Sequence, residues 1–209
     1  MRRGLVLLAF LAAGCGSLPA ERSIRIDLPA PPAARPLSGD GLTLRMLRFT
    51  ASGPLQERNL VYAEAGAPDD TRQAATIVWE APPEVAASAY LAAALTGAGA
   101  SVIGNGIPGV PNYVVSGVVQ RFDLLGGATG TAIASLDVSI SDAKSGQAWL
   151  TASYCAKAVT ADRSLPAVQR AFQAAMAEIA AHLVADTAAR HGGAAITAPV
   201  PRGSRLSSC

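Results

Sequence analysis

Tyr113-Val114-Val115-Ser116-Gly117-Val118-Val119-Gln120-Arg121-Phe122-Asp123-Leu124-Leu125 opens the stretch that decides the fold. With Thr129–Ser141 and Gln147–Val159 it makes three long segments rich in β-branched and aromatic residues. Such side chains suit a pleated, half-buried surface. Gly126-Gly127 separates the first two segments, and Asp142-Ala143-Lys144-Ser145-Gly146 the last two. Short connections of this kind join antiparallel neighbours, so a three-stranded meander is expected. In the middle strand Ile133, Ser135, Asp137 and Ser139 share one face, while Ala134, Leu136, Val138 and Ile140 share the other. The second face is apolar and needs a cover.

The cover follows directly in the chain. Over Pro166–Ala189, Val168, Phe172, Met176, Ile179 and Leu183 recur at helical spacing and build one apolar stripe. Gln169, Arg170, Gln173 and Glu178 lie off it. Gly192-Gly193 stops the helix, and residues 192–209 read as a disordered tail.

Upstream, Leu42–Phe49 alternates as a half-buried strand, Gly53-Pro54 marks a turn, and Asn59-Leu60-Val61-Tyr62 starts another strand. Gly66-Ala67-Pro68-Asp69-Asp70 reads as a break before a strand at Thr76–Glu80. Pro82-Pro83-Glu84 then opens a helix, because proline is tolerated in a first turn and a carboxylate favours the positive end of the dipole. That helix runs to about Leu95 with Val85, Ala89, Ala92 and Leu95 along one side. Ala100–Ile103 is a further strand, and a Gly/Pro loop leads to Pro111. The expected fold is α+β: a mainly antiparallel sheet with two helices packed on one face, over residues 42–191.

The N-terminus carries a different signal. Arg2 and Arg3 precede the short apolar run Leu5–Leu11, and Ala12-Ala13-Gly14 places small residues ahead of Cys15. This is the pattern of a lipoprotein signal peptide over residues 1–14, cleaved between Gly14 and Cys15, with a diacylglycerol on the Cys15 thiol. The run is far shorter than the ~20 residues that span a bilayer. Gly16 stands where an aspartate would favour retention in the inner membrane, so the expected destination is the periplasmic face of the outer membrane. Residues 15–41 carry Pro19, Pro29, Pro31, Pro32 and Pro36 and read as an extended tether, with a short edge strand inside Ser23–Leu28.

Composition narrows the partners. The formal charge of the full chain is +2 and includes Arg2 and Arg3, and lysine occurs only at Lys144 and Lys157. A nucleic-acid footprint is therefore missing. Of the three cysteines, Cys155 and Cys209 could pair in an oxidising compartment. Cys155 lies in a strand-like run, and the favoured reading is a buried free thiol. Metal binding lacks ligands, since there is no C-x-x-C and the histidines are only His182 and His191. No G-x-S-x-G elbow exists for a hydrolytic nucleophile. Gly104-Asn105-Gly106-Ile107-Pro108-Gly109 has the letters of a dinucleotide fingerprint, but no helix follows to hold a pyrophosphate, so a flexible loop is expected. No cofactor or catalytic residue is assigned. Tyr62, Trp79 and Tyr90 could line a groove for lipid or a partner; the plainer reading has Trp79 plugging the junction of sheet and first helix.

Taken together, the lipobox, Asn59-Leu60-Val61-Tyr62, Trp79-Glu80-Ala81-Pro82-Pro83-Glu84, and Tyr113 to Phe122 as Y-x-x-x-G-x-x-x-x-F resemble the ABC-type transport auxiliary lipoproteins, a family that includes paraquat-inducible protein C. The similarity covers about residues 24–190. One departure is Ala63-Glu64-Ala65-Gly66-Ala67, where the family usually has polar and aromatic residues. The resemblance implies a non-catalytic outer-membrane lipoprotein of a phospholipid-transport ABC system. Its partners would be a periplasmic mammalian-cell-entry-domain protein with its permease and ATPase, and possible phospholipid. Tyr62, Trp79, Pro82 and Pro83 are the expected partner contacts. The alternative is a structural or assembly lipoprotein of another envelope complex, for secretion or outer-membrane assembly.

Overall fold

The computed structural model describes residues 20–25, 37, 41–126 and 130–192. The signal peptide, Gly14, Cys15 and the tail beyond Gly192 lie outside the described residues. In chain order the elements are β1 (Arg22–Ile24), β2 (Thr43–Met46), β3 (Thr50–Ala51), a 3-10 turn (Gly53–Gln56), β4 (Asn59–Glu64) and β5 (Ala67–Trp79). They continue with α1 (Pro83–Gly97), β6 (Ser101–Ile103), β7 (Tyr113–Leu125), β8 (Thr131–Asp142), β9 (Ala148–Val159) and α2 (Leu165–His191).

The fold is α+β. Among the described residues one mixed sheet of nine strands carries both helices. Its spine is the expected meander: β7 pairs with β8, and β8 with β9, both antiparallel. The Asp142 carboxylate closes the β8–β9 connection by accepting from the N–H groups of Lys144 and Ser145 and from the Ser145 hydroxyl. Those bonds, the Ser145 amide first, hold this carboxyl below its ordinary pKa.

The free edge of β7 is covered by three short strands in succession. β2 aligns Leu44–Met46 with Tyr113–Val115, β3 aligns Thr50–Ala51 with Val118–Val119, and β4 aligns Val61–Ala63 with Asp123–Leu125. All three run parallel to β7, as one interrupted strand. β6 extends the sheet beside β2, and β5 beside β4. The sheet is thus parallel where β2, β3 and β4 meet β7 and antiparallel in the β4–β5 pair and through the meander.

β5 begins at Ala67, where sequence reading placed a break. Its first seven residues are exposed, so no buried face stamps a period on them, and Pro68 is tolerated because that part of the strand lies at an edge.

β1 pairs parallel with the end of β5, Arg22 opposite Ile77 and Ile24 opposite Trp79. It is the edge strand expected within Ser23–Leu28. Ile24 and Leu37 are both buried in the core, and Leu37 N–H donates to Ala98 O at 2.9 Å. Where the segment 15–41 is described, it belongs to the domain.

α2 packs on β8 and β9, and α1 on β7 and α2. The α2 stripe of Val168, Phe172, Met176, Ile179 and Leu183 is buried throughout, against Ala134, Leu136, Val138 and Ile140 of β8. Ser164 caps the helix by accepting from Ala167 N–H. In α1 the buried face is Ala87, Ser88, Tyr90, Leu91, Ala94 and Leu95, whereas Ala89 is exposed and Val85 and Ala92 are half-buried. The expected stripe was out of phase. An alanine-rich helix has little contrast between faces, so its two large side chains, Tyr90 and Leu91, set the rotation.

Candidate docking surface

The residues singled out as partner contacts divide between core and surface. Trp79 ends β5 and is 2% exposed. Its indole meets Phe122 of β7 edge-on at 5.2 Å and Phe172 of α2 at 4.9 Å. It therefore plugs sheet against the second helix, where the first had been expected. Pro83 is also buried, while Tyr62 and Pro82 are half-buried. Tyr62 stands level with Arg72 on β5 and Leu124 on β7.

Pro82 is the cap of α1, and its carbonyl accepts from the N–H groups of Val85 and Ala86. Charged side chains border it. Arg48, from the segment after β2, donates to Glu84 Oε1 at 2.7 Å in the first helical turn. Arg25 pairs with Glu80 at 3.3 Å, both well exposed. Glu84 is buried, and its Oε2, like Trp79 Nε1, lacks a hydrogen-bond partner. Sequence reading missed Arg48 because it and Glu84 stand 36 residues apart and no local pattern joins them.

On the sheet face turned from the helices, Arg121 grips Asp123 bidentately, Nε to Oδ1 at 2.9 Å and Nη2 to Oδ2 at 2.7 Å. Asp123 is buried. The hydrogen bond that Arg121 donates to Asp123 raises the Arg121 pKa further. A buried pair of this kind fixes geometry more than it adds stability.

Cys155 corrects the free-thiol reading: it is disulfide-bonded. The remaining cysteines are Cys15 and Cys209, so the partner lies outside the described residues. Cys155 aligns with Ser135 on the polar side of the sheet and falls outside the main apolar core. The side chain is buried, as the sequence reading expected, and an oxidising compartment favours the disulfide over the free thiol. Among the described residues no group of His, Cys, Asp or Glu is placed to hold a metal ion. Nor is any helix among them long and apolar enough to cross a membrane. No helix follows Gly104–Gly109.

A single sheet with two helices on one face, bordered by charge around a helix start, defines a small α+β domain. The chain belongs to the ABC-type transport auxiliary lipoprotein component family, whose model matches residues 26–184. As a member of a transport lipoprotein family it is membrane-associated. The fold is similar to a crystal structure of a Xanthomonas campestris protein of family DUF330. That match has a TM-score of 0.69 and 14% identity, over 82% of this chain and 97% of that one. A second crystal structure, of an uncharacterized protein, matches with a TM-score of 0.61 and 12% identity, over 80% of this chain and 98% of that one. No curated protein matches the chain.

Proposed function

We propose that this protein is a non-catalytic outer-membrane lipoprotein that docks a periplasmic mammalian-cell-entry-domain protein, with its permease and ATPase, in an ABC system moving phospholipid. The observation that carries the reading is the family match over residues 26–184. Signal peptidase cuts between Gly14 and Cys15, and Cys15 carries the lipid at the periplasmic face. An acylated Cys15 sulfur cannot also form a disulfide, so the partner of Cys155 is Cys209. Non-reducing peptide mapping should recover the Cys155–Cys209 pair.

The anchor works on a short leash. β1 starts at Arg22, seven residues after Cys15, so the lipid lies within about 24 Å of the folded sheet. Tyr62, Pro82 and the charges around them remain exposed enough to meet a partner, while Trp79 and Pro83 hold that surface in shape from beneath.

The test is a gentle detergent pull-down of the full-length lipoprotein from membranes, with Cys15→Ala as the unanchored control and mass spectrometry as readout. Recovery of a mammalian-cell-entry protein with its permease and ATPase is expected. Recovery of secretion or outer-membrane assembly proteins instead would overturn the transport assignment.

A further inference from the structure

At the end of the sheet where β7 begins, Gly104–Pro111 contains no charged side chain. Ile107 is 56% exposed and Val110 88%. A surface loop with apolar tips is ordinarily free to move, but this one is tied from below. Arg45 of β2 donates from Nη1 to Ile107 O at 3.1 Å and from Nη2 to Gly109 O at 2.7 Å. Asn112 locks the loop's exit, giving its N–H to Thr43 O and accepting from Thr43 N–H on its side-chain oxygen. Ile103 lies close beneath Gly109, where an added β-carbon would stand 2.6 Å from its Cδ1. A loop ordered before binding loses little conformational freedom when it binds.

Strand directions set where the loop points. β1 runs with β5, β5 against β4, and β4 with β7. The chain before Arg22 therefore leaves towards the C-terminal end of β7, and the loop lies at the N-terminal end. Arg22 stands opposite Ile77, beside the Asn59–Val78 pair, close to the level where Val61 meets Asp123. About nine strand residues, or ~30 Å, separate that level from Tyr113. A lipid on Cys15 draws the other end towards the bilayer and leaves the loop facing away.

We propose that residues 104–111 are a preordered docking tip on the membrane-distal end, inserting Ile107 and Val110 into an uncharged apolar cleft of the transport system's periplasmic protein. This rests on the lipidation and transport reading above. Arg45 is the positioning residue: Arg45→Ala should weaken association about tenfold, and Arg45→Lys, which lacks the planar fork, should rescue little of it.

The experiment places p-benzoylphenylalanine at Val110 or, as control, at Val159 in the full-length lipoprotein, with irradiation in native membranes. Val159 is 70% exposed and ends β9 opposite Thr131, at the far end of the sheet from the loop. The expected result is a protein adduct from Val110, identified as the mammalian-cell-entry component, and none of that adduct from Val159. An adduct with phospholipid from Val110, no protein adduct, or equal adducts from both positions would overturn the tip. A Val110 adduct with a protein of another envelope complex upholds the tip and sinks the transport assignment. The paired substitution Ile107→Asp with Val110→Asp should cut co-purification at least tenfold and leave the unfolding midpoint unchanged, since both side chains face water. Undiminished co-purification would also overturn the tip.

Discussion

A β-carbon at Gly117 would stand 2.6 Å from Cε2 of the Phe49 ring and 2.8 Å from the Asp137 carbonyl oxygen. The glycine of the Y-x-x-x-G-x-x-x-x-F strand is therefore a seat for Phe49, whose ring is buried on top of it. The flanking aromatics are packing residues too. Tyr113 stacks on Trp149 at 4.6 Å, and Phe122 lies 4.6 Å from Phe172 in the cluster that holds Trp79. The spacing of this motif was readable in the chain, but its cause was not, because Phe49 reaches Gly117 from the segment between β2 and β3. Gly117→Ala should cost about 1–3 kcal/mol through overpacking, since one of the opposing atoms is backbone and cannot swing aside. Urea unfolding checks this, with a lower midpoint and an unchanged slope. Trp79→Ala removes the central ring of the cluster and should cost about 3–5 kcal/mol. A stability loss well under 1 kcal/mol would mean that Trp79 is a surface residue after all.

Among the elements, α2 was legible and α1 only partly so, and the difference is chemical. α2 spaces five large apolar side chains along one stripe, whereas α1 offers alanines on every side and leaves its rotation to Tyr90 and Leu91. α2 also carries a polar fastening that no periodicity reveals. Tyr154 of β9 donates its hydroxyl to Asp186 Oδ2 at 2.9 Å. Burial first, then the Asp186 charge and that hydrogen bond, raise the Tyr154 phenol far above its ordinary value. The fold thus favours the protonated phenol. Its contribution is complete below the unfolded value of about 10 and is lost as pH rises beyond it. Tyr154→Phe should cost about 1–2 kcal/mol near neutrality by leaving Asp186 without its donor. It should also flatten the loss of stability above about pH 10, the remainder belonging to Tyr90, whose phenol is likewise raised by burial. Thermal melts across pH 7–11 decide this; parallel curves for the two proteins would refute the fastening.

For the whole molecule, the meander and its covering helix came from local pattern, while the other half of the sheet came from pairings that no short window contains. β2, β3 and β4 are too short to announce themselves as one composite strand, yet in three stretches they line the edge of β7. The N-terminal segment is the sharpest instance. Its prolines read as a tether, but Ile24 inserts beside Trp79 and Leu37 ties down against the end of α1. These two side chains contribute core burial from outside the meander-and-helix unit, so a chain beginning at residue 42 should be less stable than one beginning at residue 20. At roughly 1.5–3 kcal/mol for each buried side chain, the deficit is about 3–6 kcal/mol. Urea midpoints of the two truncations measure it directly, with Ile24→Ala in the longer chain apportioning the share of β1. A passive tether would give equal midpoints, and the lipid proposed on Cys15 could then ride as far from the domain as residues 16–41 allow. Unequal midpoints keep β1 in the sheet and hold the anchor within the ~24 Å that seven residues can span.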